Sequence, residues 1–244
     1  MERLPGGTAV GLRGARRVEV GVAERVRHRR RPEAERVQEL RRRTAELEAW
    51  ADLERSREQQ RKELRLRVEE TYVRSAPGGT GYAKTGGNYA ASLYAAREAS
   101  LKGYDQVLWL DAKEKKYVEE VGTSNIFFVI NGELVTPPLG GTILPGITRD
   151  TVLQLAKDWD ISTHERRITI DEVIAAAEDG SLNEAFGSGT AAVISPIGEF
   201  GYKGDTIMVN KGKTGPLARR FFDGIQQLQR GAAPDPHNWI VRVK

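Results

Sequence analysis

The hydrophobic pattern changes character near Val68. Between Pro32 and Glu70 apolar positions are sparse, at Val37, Leu40, Leu47, Trp50 and Leu53. Their rhythm is helical, so this stretch predicts one charged helix. From Glu54 to Glu63 no large apolar residue appears, and a coiled-coil seam needs its stripe sustained over several heptads. The expectation is therefore a solvated or partly disordered helix, ahead of a helix packed on a partner or a second subunit. Beyond Val68 the chain is punctuated like a packed domain. Helices are predicted at Asn88–Lys102, Arg149–Trp159, Asp171–Glu178 and Pro216–Gln229. Strands are predicted at Gln106–Leu110, Ile126–Ile130, Asn183–Phe186, Ala192–Ile197 and Trp239–Val243. Asn131-Gly132 between apolar runs is a hairpin signal, returning through Glu133–Thr136. Helices and hairpins mixed in this way predict an α+β fold. The domain boundaries expected are 1–66 for the charged segment and 67–244 for the packed domain.

Composition narrows the possible functions. The 244 residues are 39% hydrophobic, enough for a real core. With no cysteine, disulfides, iron–sulfur clusters and thiolate zinc sites are excluded. His28, His164 and His237 show no ligand spacing. No apolar run is long enough to span a membrane, and no signal-peptide stretch opens the chain. A cytoplasmic protein with no membrane association is expected. The net charge is +4, and half of the 38 lysines and arginines lie in the first seventy residues. That region opens with the Gly/Arg-rich stretch Gly6–Ala15 and runs through His28–Arg31. Glutamates are interleaved throughout and no aromatic platform exists, so nucleic acid is not expected as a partner.

Four segments carry candidate chemistry. Gly81-Tyr-Ala-Lys84-Thr-Gly-Gly-Asn-Tyr89 places one lysine in a glycine-flanked turn before an alanine-rich helix. Glu119-Glu120-Val-Gly-Thr-Ser-Asn125 supplies a carboxylate about one strand pair later. A turn-held lysine facing a carboxylate suits imine chemistry on pyridoxal phosphate, with the carboxylate keeping the pyridine nitrogen protonated. Two further segments suit a phosphate. Leu144-Pro-Gly146-Ile147-Thr148-Arg149 runs straight into a helix, whose first N–H groups lack internal partners. Gly187-Ser-Gly189-Thr190-Ala191 lets backbone amides converge on one oxyanion. Taken singly, each feature is an ordinary loop lysine, surface glutamate, helix cap or bend. Gly212-Lys213-Thr214 mimics the end of a P-loop, but the leading glycine position holds Ile207. Gly79–Lys84 lacks the last glycine of a dinucleotide fingerprint.

In order along the chain, Tyr72-Val-Arg74, Gly78–Gly81, Ala83–Tyr89, Glu120–Asn125, Thr136–Pro138, Leu144–Arg149 and Gly187–Ala191 resemble the branched-chain amino-acid aminotransferases. These are enzymes of pyridoxal phosphate (PLP) fold type IV, the D-amino-acid-aminotransferase-like fold, and the resemblance spans the large domain from about Val68 onward. It implies that Lys84 is the Schiff-base lysine and that Tyr89 hydrogen-bonds the cofactor's phenolic oxygen. Glu120 would pair with the pyridinium nitrogen, and Leu144 would pack on the ring. Ile147 and Thr148 would bind the phosphate through their amides, with Thr190 completing that site. Thr190 and Ala191 would receive the substrate carboxylate. The implied activity moves the amino group of leucine, isoleucine or valine to 2-oxoglutarate, so the partners are amino acids and 2-oxo acids, and the assembly is a homodimer. Alternatives are a non-catalytic remnant acting through dimerisation or partner binding, a D-amino-acid transaminase and an aminodeoxychorismate lyase. The departure from the family lies upstream. Its members carry a smaller N-terminal domain that supplies part of the side-chain pocket and an arginine on the phosphate. Residues 1–66 do not resemble that domain; their composition matches a GC-rich coding region read in a shifted frame. Weak cofactor binding is the expectation.

Overall fold

The computed structural model describes residues 33–59 and 63–241. They fall into two units, 1–61 and 62–244. In the first unit the described part is one helix, α1 (Glu33–Gln59). Its Val37, Leu40 and Leu47 are exposed, as expected where a sparse apolar pattern gives no stripe to bury. The side chains of Trp50 and Leu53, and the segments Gly6–Ala15 and His28–Arg31, lie outside the described residues. The predicted helix ends earlier than Glu70. Leu64–Glu69 is a strand, β1, in the second unit. Its alternation Leu64, Leu66, Val68 against Arg65, Arg67 is a period-two pattern, obscured in the sequence by the charged run before it.

The second unit contains α2 (Gly86–Leu101), β2 (Gln106–Leu110), β3 (Val118–Val121), β4 (Ser124–Ile130) and β5 (Glu133–Thr136). After these come α3 (Ile147–Asp158), β6 (Thr163–Glu165), α4 (Ile170–Glu178) and β7 (Leu182–Gly189). The chain finishes with β8 (Val193–Tyr202), β9 (Asp205–Met208), a short 3₁₀ turn (Asn210–Gly212) and α5 (Pro216–Gln229). The strands run β3-β2-β1-β8-β7-β4-β5-β6, with β9 on β8, and β3 also pairs with β4. That last pairing closes β3, β2, β1, β8, β7 and β4 into a ring. β1 is parallel to both neighbours, β2 and β8, whereas the other pairs in the ring are antiparallel. Such mixed pairing places the unit in the α+β class.

One core is gathered from all six ring strands: Leu66 and Val68, Leu108 and Leu110, Val118 and Val121, Ile126 and Phe128, Leu182 and Ala185, Ile197 and Phe200. Helix α4 adds Ile170, Val173 and Ala176. The opposite face of β4, Phe127 and Val129, joins Phe186, α3 and α5 in a second core. A strand buried on both faces reads as a continuous apolar run, which is why Ile126–Ile130 was legible. The hairpin at Asn131-Gly132 forms as expected, with φ of 52° and 80°, the two left-handed residues of a type I′ turn. The expected C-terminal strand does not form: Trp239–Val241 are irregular, and the residues after them lie outside the described ones. Apolar character there serves local contacts instead, with the Trp239 ring stacked on His237 at 4.5 Å.

Candidate active site

Lys84 sits two residues ahead of α2 in a turn held by Asn88. The Asn88 side-chain amide donates to the Thr80 and Ala83 carbonyls at 2.8 and 2.9 Å, and its oxygen accepts from Thr80 Oγ1 at 2.8 Å. The turn is packed closely, because a Cβ on Gly81 would collide with Ser75 Oγ and the Thr142 carbonyl. Lys84 itself is exposed. Tyr89, in the first turn of α2, is 41% exposed.

Lys84, Tyr89, Thr190 and Ala191 line a single cavity of about 440 Å³, together with Gln106, Thr123 of the β3–β4 turn and Ser124 at the start of β4. Thr190 and Ala191 belong to the tight connection from β7 to β8. Gly189 is glycine there because a Cβ would press on Ser124 Oγ at 2.8 Å. Val193, just after the turn, has φ of 59°, a strained conformation for a β-branched residue.

Glu120 does not line this cavity. Its neighbour Val121 lines the cavity, and its cross-strand partner is Asn125. The Glu120 carboxylate is 2% exposed. Oε1 accepts from Asn125 Nδ2 and from the Leu144 N–H, both at 3.0 Å. Oε2 meets Arg74 Nε at 2.5 Å, and no donor reaches it in hydrogen-bonding geometry. Burial pushes the Glu120 carboxyl up to about 7, against the opposing pull of Arg74. Next to it Glu119 is also raised by burial, while its bond from Thr142 Oγ1 at 2.5 Å acts the other way.

Leu144 is half-buried and bound to Glu120 through its amide. Ile147 and Thr148 begin α3, and Ile147 is 82% exposed. Gly146 caps this helix, and a Cβ on it would strike the Asn125 side chain. Thus Lys84, Tyr89, Thr190 and Ala191 share one cavity. Glu120, Leu144, Ile147 and Thr148 stand on the strand and helix end that meet at Asn125. Arg74, Asn88 and Asn125 are the organising residues that sequence reasoning did not single out. All three stood within quoted motifs, but nothing in their spacing announced the contacts they make. Among the described residues no group of histidine and acidic side chains could hold a metal, and no helix is long and apolar enough to cross a membrane.

Residues 29–200 match the family described as amino-transferase class IV. The chain belongs to the class IV aminotransferases. A class IV relative, the branched-chain-amino-acid transaminase 1 of Bacillus subtilis, is 55% identical over 184 residues, covering 75% of this chain and 52% of that protein. The probable branched-chain-amino-acid aminotransferase of Streptomyces coelicolor is 46% identical over 73% of this chain and 49% of its own. The solved branched-chain amino acid aminotransferase of Escherichia coli superposes with a TM-score of 0.63 at 34% identity, covering 72% of this chain and 56% of that one. The PLP form of the Thermobaculum terrenum enzyme gives 0.62 at 29% identity, over 72% and 53%. This class IV chain therefore spans about half the length of the curated relatives it matches.

Proposed function

We propose that this chain is the large, lysine-bearing part of a branched-chain amino-acid aminotransferase. It would hold PLP and move the amino group of leucine, isoleucine or valine to 2-oxoglutarate. The observation that carries the proposal is the cavity lined at once by Lys84, Tyr89, Thr190 and Ala191, beside the buried Glu120 carboxylate, which Arg74 faces at 2.5 Å. These residues fit the cofactor. Lys84 would hold its aldehyde carbon covalently, Tyr89 its phenolic oxygen and Glu120 its ring nitrogen, with Leu144 packed on the ring. The Ile147 and Thr148 amides and Thr190 would hold the phosphate, where a helix N-terminus favours an anion.

When bound, PLP supplies an electron sink for the negative charge that develops at the substrate α-carbon. The protein's own part is positional and acid–base. The Thr190 and Ala191 amides receive the substrate carboxylate. The Lys84 amine, once free, would take the proton from the substrate α-carbon and pass it to the cofactor's C4′ carbon on the same face. Glu120 would pair with the ring nitrogen and so preserve its positive charge. Two half-reactions sharing one site give ping-pong kinetics. The proposal includes a homodimer in the cytoplasm, and the exposed apolar side chains of α2, Leu93, Tyr94 and Leu101, are suited to cover by a second surface.

The test is a donor panel: PLP-loaded chain with 2-oxoglutarate and leucine, isoleucine, valine or D-alanine, measuring glutamate formed. Glutamate from the branched L-donors alone supports the proposal. Turnover of D-alanine alone would move the chain to the D-amino-acid transaminases, and no glutamate from any donor would leave a non-catalytic remnant.

A further inference from the structure

A second cavity, of about 280 Å³, shares no lining residue with the one that holds Lys84. One wall is the β2–β3 connection, which is fixed from within. The Asp111 carboxylate, 7% exposed, accepts from the Lys113, Glu114, Lys116 and Tyr117 amides at 2.8–3.2 Å. Asp111 is thus spent on shaping the loop. Two opposite charges line the cavity with more to give. Glu119 Oε1 accepts from Thr142 Oγ1 at 2.5 Å, and Oε2 has no hydrogen-bond partner among the described residues. Arg167 lies on the Tyr117 ring, 3.3 Å from its centroid. Its one ion pair is with Glu114, through a single nitrogen at 3.5 Å. Burial raises the Glu119 carboxyl, and the charge of Arg167 is near enough to act against that. The two therefore feel one another without pairing. Val118, Ile143 and Pro137, all buried, supply apolar lining.

We propose that this cavity binds a small aliphatic α-amino acid, with its ammonium group on Glu119 Oε2, its carboxylate on Arg167 and its side chain against Val118, Ile143 and Pro137. The charges select the class. A simple amine would leave Arg167 facing a like charge, and a simple carboxylate would do the same to Glu119. A zwitterion satisfies both with charge-assisted hydrogen bonds. The volume sits at the small end of ligand pockets, which begin at about 300 Å³, so the ligand is no larger than an amino acid of this kind. The site is distinct from the substrate position proposed at Thr190 and Ala191, and it needs neither Lys84 nor PLP.

The test is titration calorimetry of the full chain without PLP, using leucine, leucinamide (no carboxylate) and isocaproate (no amine). Leucine should bind the wild type and Lys84→Ala alike, and each analogue should bind roughly tenfold more weakly. Glu119→Gln keeps an oxygen for Thr142 but loses the charge. It should weaken leucine and leucinamide by roughly tenfold while leaving isocaproate no weaker. Arg167→Gln should weaken leucine and isocaproate while leaving leucinamide unchanged. A merely structural loss would weaken all three ligands together, so the crossed pattern is specific to the site. Arg167 is 54% exposed, so its replacement carries the test if Glu119→Gln does not fold. Three results would each overturn the second site: no leucine binding to the wild type, binding lost in Lys84→Ala, or equal weakening of all three ligands. Each would leave the proposed function standing, because that reading rests on the other cavity.

Discussion

At the scale of single residues, Glu120 gives the clearest solution signature. Its folded carboxyl is raised to about 7 from an ordinary value of 4.5. A raised carboxyl binds its proton more tightly in the folded state, so its contribution is full below the unfolded value and is lost as pH climbs through the folded one. Relative to Glu120→Gln, the wild-type chain should lose stability between about pH 4.5 and 7, by at most about 3 kcal/mol. Urea unfolding of both proteins at either end of that window checks the sign; a wild type that gains stability relative to the variant as pH rises would contradict it. Lys84 stood out in the sequence because it lies in a glycine-flanked turn, and Glu120 because a glycine turn follows it at the end of β3. Arg74 did not, because its role is made by a contact to a strand far along the chain, and sequence spacing does not encode such contacts.

At the scale of elements, the start of α5 is the most exposed to a single change. Glu184 on β7 accepts from the Leu217 and Ala218 amides, both at 2.8 Å. It thereby satisfies two donors that the helix cannot pair internally. Glu184→Ala should cost about 1–2 kcal/mol, seen as a lower urea midpoint. Gly215→Ala should do comparable harm, because its Cβ would collide with the same carboxylate. Unchanged midpoints in both variants would show that the cap carries no stability. Elements with a sustained apolar rhythm or a turn dipeptide, such as β4, the Asn131-Gly132 hairpin and α5, were legible in sequence. β3, β6 and β9 were not predicted as strands, since each is three or four residues long and takes its identity from pairing rather than pattern. β7 runs longer than predicted because its ladder with β8 continues into the glycine turn, and β8 because it goes on to pair with β1 and β9.

At the scale of the molecule, the second unit holds a core drawn from every strand of a closed ring. Residues 62–244 expressed alone should therefore unfold in one cooperative transition, with Trp109 fluorescence and far-UV circular dichroism melting together. Non-coincident curves would mean that the ring is not self-sufficient. Fold type was readable because ordered motifs and patterning agreed along the packed region. The junction near residue 64 was not, because the arginines of β1 continue the charge of the segment before it.

The proposed function stands or falls on Lys84 as the anchor of PLP. Borohydride reduction of the PLP-treated full chain, followed by peptide mass mapping, tests it directly. The prediction is a pyridoxyl group on the peptide containing Lys84, lost in Lys84→Ala. Label spread over surface lysines, or the same label in Lys84→Ala, would contradict it.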